Sequence, residues 1–173
     1  WVKEAWIRLI ERPNLEAAAA IHATSAVEAD HIAAFGWRLP RIVMIPHGVD
    51  DPPAPDGKPV SADIASAIAG AAADGPMVLA FGRISWEKGL DRLIAALAQT
   101  PAIRAVIAGD DADGHAAWLA SEAARLGVSP RVTIIARHVS GADKEALFAA
   151  AQLFAMTSLS ENFGIAAFEA MRR

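Results

Sequence analysis

Apolar residues in the second half of the chain form short continuous runs, separated by stretches in which they recur at helical spacing. The continuous runs predict strands over residues 77–81, 103–108, 132–136 and 153–156. The stretches that follow these runs predict four helices. The first begins near Leu90, and the others cover residues 116–126, 144–151 and 164–171. Strands that alternate with helices in this way form a parallel sheet covered on both faces. The pattern therefore predicts an α/β, doubly wound fold.

The first 50 residues are less regular. Their pattern favours a helix over residues 1–12 ended by Pro13, a strand over 17–24, a helix over 26–35 capped by Ser25, and a strand over 41–45. A proline-rich stretch at residues 51–59 has the composition of a linker. We therefore predict two domains, residues 1–50 and 60–173.

Composition narrows the classes of function. Of the 173 residues, 54% are hydrophobic and 21% are charged, which is typical of a packed domain. A net charge of −4 and the lack of a basic run argue against nucleic acid as a partner. The absence of cysteine excludes disulfides and thiol nucleophiles. The longest weakly apolar run, residues 64–73, falls short of the roughly 18 residues that a bilayer requires.

The lack of cysteine and of a membrane-spanning apolar run favours a cytoplasmic location. The opening helix carries Trp1 and Trp6 together with basic residues, so contact with an anionic membrane surface is an alternative to core packing of that helix. The chain starts at Trp1 and stops at Arg173 inside a predicted helix. We therefore expect it to be part of a longer protein.

Topology places the chemistry at one edge of the predicted sheet. In the strand order 3-2-1-4, ligands bind beyond the carboxyl ends of strands one and four. The "first loop", residues 82–89, follows strand one, and the "second loop", residues 157–164, follows strand four. In the first loop Gly82 lets the backbone approach an anion, Arg83 offers a two-pronged donor and Lys88 adds a point charge.

The second loop adds carboxylates and a helix start. A helix that begins near Phe163 directs unpaired N–H groups to the cleft, with Ser160 or Asn162 available as a cap. Glu161 precedes this helix and Glu169 lies about one and a half turns into it, so both can accept hydrogen bonds from hydroxyl groups. Cations for a diphosphate and carboxylates for hydroxyls together predict a sugar nucleotide as the ligand.

Other motifs support no competing site. Each charge taken alone is equally well explained as a solvated surface residue, and neither dinucleotide nor P-loop glycine patterns follow strand one. Asp111 and Asp113 imitate an Asp-x-Asp metal motif but are interpreted as a solvated turn. The histidines lack metal-site spacing, so no metal is predicted. A glycosidase interpretation of the glutamate pair would leave Arg83 and Lys88 without a role.

These residues resemble a known family. GRISWEKGLDRLIAAL at 82–97 and SLSENFGIAAFEAM at 158–171 are similar to the two signature blocks of family-four retaining glycosyltransferases of GT-B fold. HATSAVEADHI at 22–32 and IPHGVD at 45–50 resemble that family's stretch leading to the interdomain hinge, with His47 and Asn162 as departures. The resemblance implies an acceptor-side Rossmann-like domain over 1–50 and a donor-binding one over 60–173, both incomplete. It also implies that the acceptor-side catalytic histidine and a glycine-rich donor loop lie outside this chain.

The resemblance implies transfer of a sugar from a nucleotide-diphosphate sugar to a hydroxyl of a sugar, lipid or polysaccharide, with retention and without metal or cofactor. It makes cell-envelope or polysaccharide synthesis the expected setting. By this resemblance, Arg83 and Lys88 would bind the diphosphate, Glu161 would bind the transferred sugar and Glu169 would bind the ribose. The catalytic residues would be Arg83, Lys88 and Glu161. The remaining contacts would come from Gly82, Val139 at the base, and the backbone of Phe163, Gly164 and Ile165. A non-catalytic nucleotide-sugar binding half and a GT-B-fold epimerase or phosphorylase are the alternatives.

Overall fold

The computed structural model describes residues 1–51, 57–73 and 75–173. The chain forms two compact units, Trp1–Gly48 and Val49–Arg173. Residues 52–56 of the predicted linker lie outside the described residues. The acceptor-side and donor-side roles assigned to the two domains stay predictions.

The opening helical stretch does not end at Pro13, so that prediction is wrong. Helix α1 (Val2–Trp6) passes into a π-helical segment (Ile7–Glu11) and then into α2 (Arg12–Ala17). Pro13 lies in the first turn of α2. A proline is tolerated there because its missing N–H falls where an α-helix lacks acceptors, and its fixed φ suits the first turn.

A two-stranded sheet completes the first unit. Strands β1 (Ile21–Ala23) and β2 (Ile42–Met44) pair in parallel, and α3 (Ala26–Ala33) lies between them in sequence. The predicted N-cap is confirmed, since Ser25 Oγ accepts a hydrogen bond from the Glu28 N–H at 3.1 Å. The strand predicted over residues 17–24 is shorter than expected, because α2 ends at Ala17 and β1 begins only at Ile21.

The second unit is built on a four-stranded sheet. Its strands are β3 (Met77–Phe81), β4 (Arg104–Gly109), β5 (Val132–Ala136) and β6 (Leu153–Phe154). They lie in the order β5-β4-β3-β6, and every neighbouring pair is parallel. This confirms the predicted order 3-2-1-4, although β6 is shorter than predicted.

Helices cover both faces of this sheet. They are α4 (Ala62–Ala72), α5 (Leu90–Gln99), α6 (His115–Arg125), α7 (Gly141–Ala150) and α8 (Ile165–Met171). Successive strand residues point to opposite faces. Val78 and Ala80 therefore pack with α5 and α6, whereas Met77 and Leu79 pack with α4 and α7. No helix in the described part of the chain has the length and apolar character needed to cross a bilayer.

Helix α4 was not predicted. Its residues are mostly alanine with two isoleucines, so few large side chains mark its apolar face. Ile64, Ala67 and Ala71 nevertheless face the core. Packing against the sheet, rather than a strong local pattern, stabilises this helix.

Candidate functional site

The first and second loops meet at the carboxyl edge of β3 and β6, as the topology predicts. Thr157 Oγ1 donates to the Lys88 carbonyl at 2.9 Å. The Leu159 N–H donates to the Glu87 carbonyl at 2.8 Å. Two hydrogen bonds between loops more than sixty residues apart in sequence fix their relative position before any ligand binds.

Two glycines of the first loop have different structural roles. Gly89 has a φ of 56°, and a Cβ there would lie 2.4 Å from the Thr157 carbonyl oxygen, so the close approach of the loops requires glycine. Gly82 has a φ of 142°. Among the described residues, no atom beyond its chain neighbours lies within 4 Å of where its Cβ would be. That open space is what the predicted approach of an anion to the Gly82 backbone needs.

Lys88 and Glu161 form an ion pair across the two loops. Lys88 Nζ lies 2.7 Å from Glu161 Oε2, and the two side chains are 26% and 29% exposed. Ser158 Oγ donates to the same oxygen at 3.3 Å. The Lys88 hydrogen bond above all holds the pKa of Glu161 below its ordinary value. Lys88 belongs to a 3₁₀ turn (Trp86–Lys88) rather than to the start of α5.

Arg83 differs from Lys88 in its exposure. Its side chain is 70% exposed, and Nη2 lies 3.8 Å from Glu87 Oε2 within the same loop. An exposed ion pair of this length contributes little to stability. The guanidinium can therefore reorient toward a ligand at small cost.

The structure separates the two predicted carboxylates into different ion pairs. Glu169, on α8, accepts from Lys144 Nζ of α7 at 2.6 Å, whereas Glu161 accepts from Lys88. Sequence reasoning missed Lys144. The available signal was a cation in the first turns of the helix after β5, on the side of the sheet where α8 also packs.

The start of α8 differs from the prediction in its cap. Gly164 is the N-cap residue, with a φ of 76° and no capping side chain, so neither Ser160 nor Asn162 fills that role. Phe163 and Ile165 flank Gly164 at the helix start. The predicted contact of this backbone with a donor stays a prediction.

Val139 lies in the loop after β5 with its side chain buried in the core of α4 and α7. A ligand at this loop would therefore meet its backbone rather than the Val139 side chain. Nearby, His138 Nδ1 lies 3.2 Å from Asp110 Oδ2, and both side chains are exposed. The predicted place for the nucleotide base stays a prediction.

A charged network anchors this loop. Arg137 donates twice to Asp63, at 2.9 Å each, and once to Asp143 at 2.9 Å. The Ser61 N–H donates to Asp143 at 2.7 Å. Arg137 lowers the pKa of Asp63, and the Ser61 hydroxyl, with Arg137 in addition, lowers that of Asp143. The network joins the start of α4 to the start of α7.

This network predicts acid-sensitive stability. Because both folded-state pKa values are depressed, the stabilisation is complete above about pH 4, near the unfolded pKa of aspartate, and disappears as pH falls through the folded values. We expect the double substitution Asp63→Asn/Asp143→Asn to lower stability at pH 6 and to flatten its decline below pH 4. Urea unfolding at several pH values measures this, with the exposed Asp113→Asn as control. Parallel pH profiles for the wild type and the double variant would contradict the prediction.

The Asp-x-Asp turn has a structural role. Asp111 accepts from the His115 N–H at 2.7 Å and from the Ala116 N–H at 3.2 Å, so it satisfies the first turn of α6 rather than being merely solvated. Among the described residues, no group of three or more histidine, aspartate or glutamate side chains is placed to hold a metal ion. Metal-independence stays a prediction.

The sheet order and the loops at its carboxyl edge are those of a GT-B type, Rossmann-like protein. The chain belongs to the family "Glycosyl transferases group 1", whose model matches residues 62–173.

Curated relatives agree with this assignment. The chain is 34% identical to the GDP-mannose:cellobiosyl-diphosphopolyprenol alpha-mannosyltransferase of Xanthomonas campestris, covering 98% of this chain and 42% of that protein. It is 37% identical to the D-inositol 3-phosphate glycosyltransferase of Mycolicibacterium smegmatis, covering 65% of this chain and 26% of that protein. The chain thus spans less than half the length of these relatives.

Solved structures share the fold. Sucrose-phosphate synthase from Thermosynechococcus elongatus superposes with a TM-score of 0.73 at 26% identity, over 94% of this chain and 41% of that one. Anabaena HepE in complex with UDP and glucose superposes with a TM-score of 0.69 at 29% identity, over 90% of this chain and 42% of that one.

Proposed function

We propose that this protein transfers a sugar from a nucleoside-diphosphate sugar to an acceptor hydroxyl with retention of anomeric configuration. The observation that carries the proposal is the Lys88–Glu161 ion pair at the carboxyl edge of β3 and β6, where Arg83 of the same loop is exposed. This arrangement supports a diphosphate bound by the two cations and sugar hydroxyls bound by the carboxylate of the adjoining loop. Relatives that use GDP-mannose or are solved with UDP and glucose support this ligand class.

The proposed chemistry is electrostatic. As the bond between the sugar and the diphosphate breaks, negative charge grows on the leaving phosphate, and preorganised cations stabilise it most at that moment. Arg83 and Lys88 supply the positive charge. Glu161 accepts hydrogen bonds from hydroxyls of the transferred sugar. The acceptor hydroxyl attacks from the face that the leaving group vacates and passes its proton to the leaving phosphate oxygen.

The binding of Lys88 to Glu161 has a consequence for the donor. In this structure Lys88 Nζ is occupied by Glu161 Oε2 at 2.7 Å. A diphosphate that binds Lys88 shares or replaces that contact, so Glu161 is released toward the sugar as the phosphate arrives. Donor binding and orientation of Glu161 are therefore coupled in this proposal.

The acceptor and setting belong to the same proposal. A relative acts on a polyprenol-linked acceptor, which supports a lipid-linked or polysaccharide acceptor in cell-envelope synthesis. We extend the proposal to metal-independent action in the cytoplasm, with peripheral contact to the membrane that would carry such an acceptor.

A donor screen tests the function. UDP-, GDP- and ADP-sugars are added in excess to the purified full-length protein while thermal unfolding is followed, with the nucleoside monophosphates as controls. A ligand at 100 times its Kd stabilises a protein by about 2.7 kcal/mol, so the true donor should raise the Tm by several degrees. The stabilising donor is then assayed with water-soluble and lipid-linked acceptors, and NMR of the product gives the anomeric configuration.

The outcomes separate the candidate functions. Acceptor-dependent release of the nucleoside diphosphate with a retained product supports the transferase. Stabilisation without transfer to any acceptor favours a non-catalytic binding protein, and conversion of the donor without acceptor favours an epimerase. If no nucleotide sugar changes the Tm, the proposed donor site is wrong.

A further inference from the structure

Lys144 is a shielded cation that lies beside the proposed donor site. Its Nζ is 2.6 Å from Glu169 Oε1, and the two side chains are only 22% and 20% exposed. Arg83, by contrast, is mostly exposed in its pair with Glu87. A pair that is largely removed from water is screened less and holds a better defined geometry.

Aromatic rings hold the same ammonium group from other sides. Lys144 Nζ lies 5.6 Å from the ring centroid of Phe81 and 5.9 Å from that of Phe148. Phe81 is the last residue of β3, directly before the first loop. Both distances are within the range in which an ammonium is attracted to a ring face. Lys144 is thus oriented by two rings and one carboxylate oxygen.

Glu169 is also fixed through its backbone. Arg173 Nη1 donates to the Glu169 carbonyl at 2.6 Å, while Arg173 pairs with Glu145 through Nε at 2.8 Å and Nη2 at 2.6 Å. Among the described residues, no donor reaches the second carboxylate oxygen of Glu169, Oε2. Its carboxylate is therefore fixed at Oε1 and open at Oε2.

We propose that Lys144 is a positioning residue for Glu169: by fixing Oε1, it presents Oε2 to the ribose hydroxyls of the donor nucleotide. The inference rests on the proposed function. A carboxylate held in place before binding loses less conformational freedom when a hydroxyl donates to it, so its hydrogen bond contributes more to affinity. The effect of Lys144 is thus exerted through the ribose contact and not through the rest of the nucleotide.

The test compares each ribonucleotide with its 2′-deoxy form. Calorimetry gives the Kd of GDP, UDP, ADP and their 2′-deoxy forms for the wild type, Lys144→Met, Lys144→Arg and Glu169→Gln. The control is Arg125→Met, which removes the exposed pair with Glu122 on α6. We expect the wild type to prefer the ribose form by about 10- to 100-fold, in line with a charge-assisted hydrogen bond.

Lys144→Met should reduce this preference to about threefold or less, because it should raise the Kd of the ribonucleotides and leave that of the 2′-deoxy forms unchanged. Glu169→Gln should have the same effect. Lys144→Arg should restore part of the preference, since guanidinium also donates to a carboxylate, and Arg125→Met should leave it unchanged. An undiminished preference in Lys144→Met, or an equal loss for both sugar forms, would overturn the inference while leaving the donor site intact. If the wild type binds none of GDP, UDP and ADP, the proposed function falls and this inference with it. Circular dichroism checks folding, and Lys144→Gln repeats the test if the methionine variant unfolds.

Discussion

Replacing both Arg83 and Lys88 with alanine is expected to lower kcat/KM for sugar transfer by about two to four orders of magnitude. The reason is that each charge-assisted hydrogen bond to the diphosphate contributes about 1.5–3 kcal/mol, and each 1.4 kcal/mol is tenfold. Steady-state kinetics with the donor found in the screen measures the loss. Each single variant should lose part of it.

The same double variant should fold almost normally. Arg83 is mostly exposed, and Glu161 keeps the hydrogen bond from Ser158 when Lys88 is removed. We therefore expect a change in the free energy of unfolding of about 1 kcal/mol or less. Arg125→Ala, which removes an ion pair outside the site, is the matched control for loss of a surface cation. Near-normal activity in a folded double variant would show that the diphosphate binds elsewhere.

Glu161→Gln and Glu169→Gln should affect different kinetic constants. A ribose contact exists in both the ground and transition states, so Glu169→Gln should raise the Kd and KM for the donor by about tenfold or more. The transferred sugar becomes cationic only as its bond breaks. Glu161→Gln should therefore act mainly on kcat, lowering it by about 10- to 100-fold.

The structure sharpens the comparison of these two variants. Each glutamine replaces a carboxylate that accepts from a lysine, Lys88 in one case and Lys144 in the other, so the loss of an ion pair is common to both. Glu122→Gln, which loses its ion pair with Arg125, controls for that loss outside the site. The reverse pattern, with kcat altered by Glu169→Gln and KM by Glu161→Gln, would exchange the roles assigned to the two residues.

Local pattern was a poor guide in two places. Pro13 predicted a helix end, yet a π-helical segment before it lets the chain continue helically to Ala17. The alanine-rich stretch of α4 offers only two large apolar side chains and was not predicted as a helix, yet Ile64 is fully buried against the sheet. Packing against the sheet selects the conformation of α4, whereas Pro13 is tolerated because it lies in the first turn of α2.

The sequence by itself determined the sheet of the second unit and the location of its candidate site. Continuous apolar runs specify buried parallel strands, and the order β5-β4-β3-β6 brings the first and second loops to one edge. Only the tertiary structure decided which charges meet. Lys88 and Glu161 are 73 positions apart, and Lys144 and Glu169 are 25 apart on different helices. Such pairs depend on how loops and helices pack and on which rotamer each long side chain adopts, and neither is written in the spacing of residues along the chain.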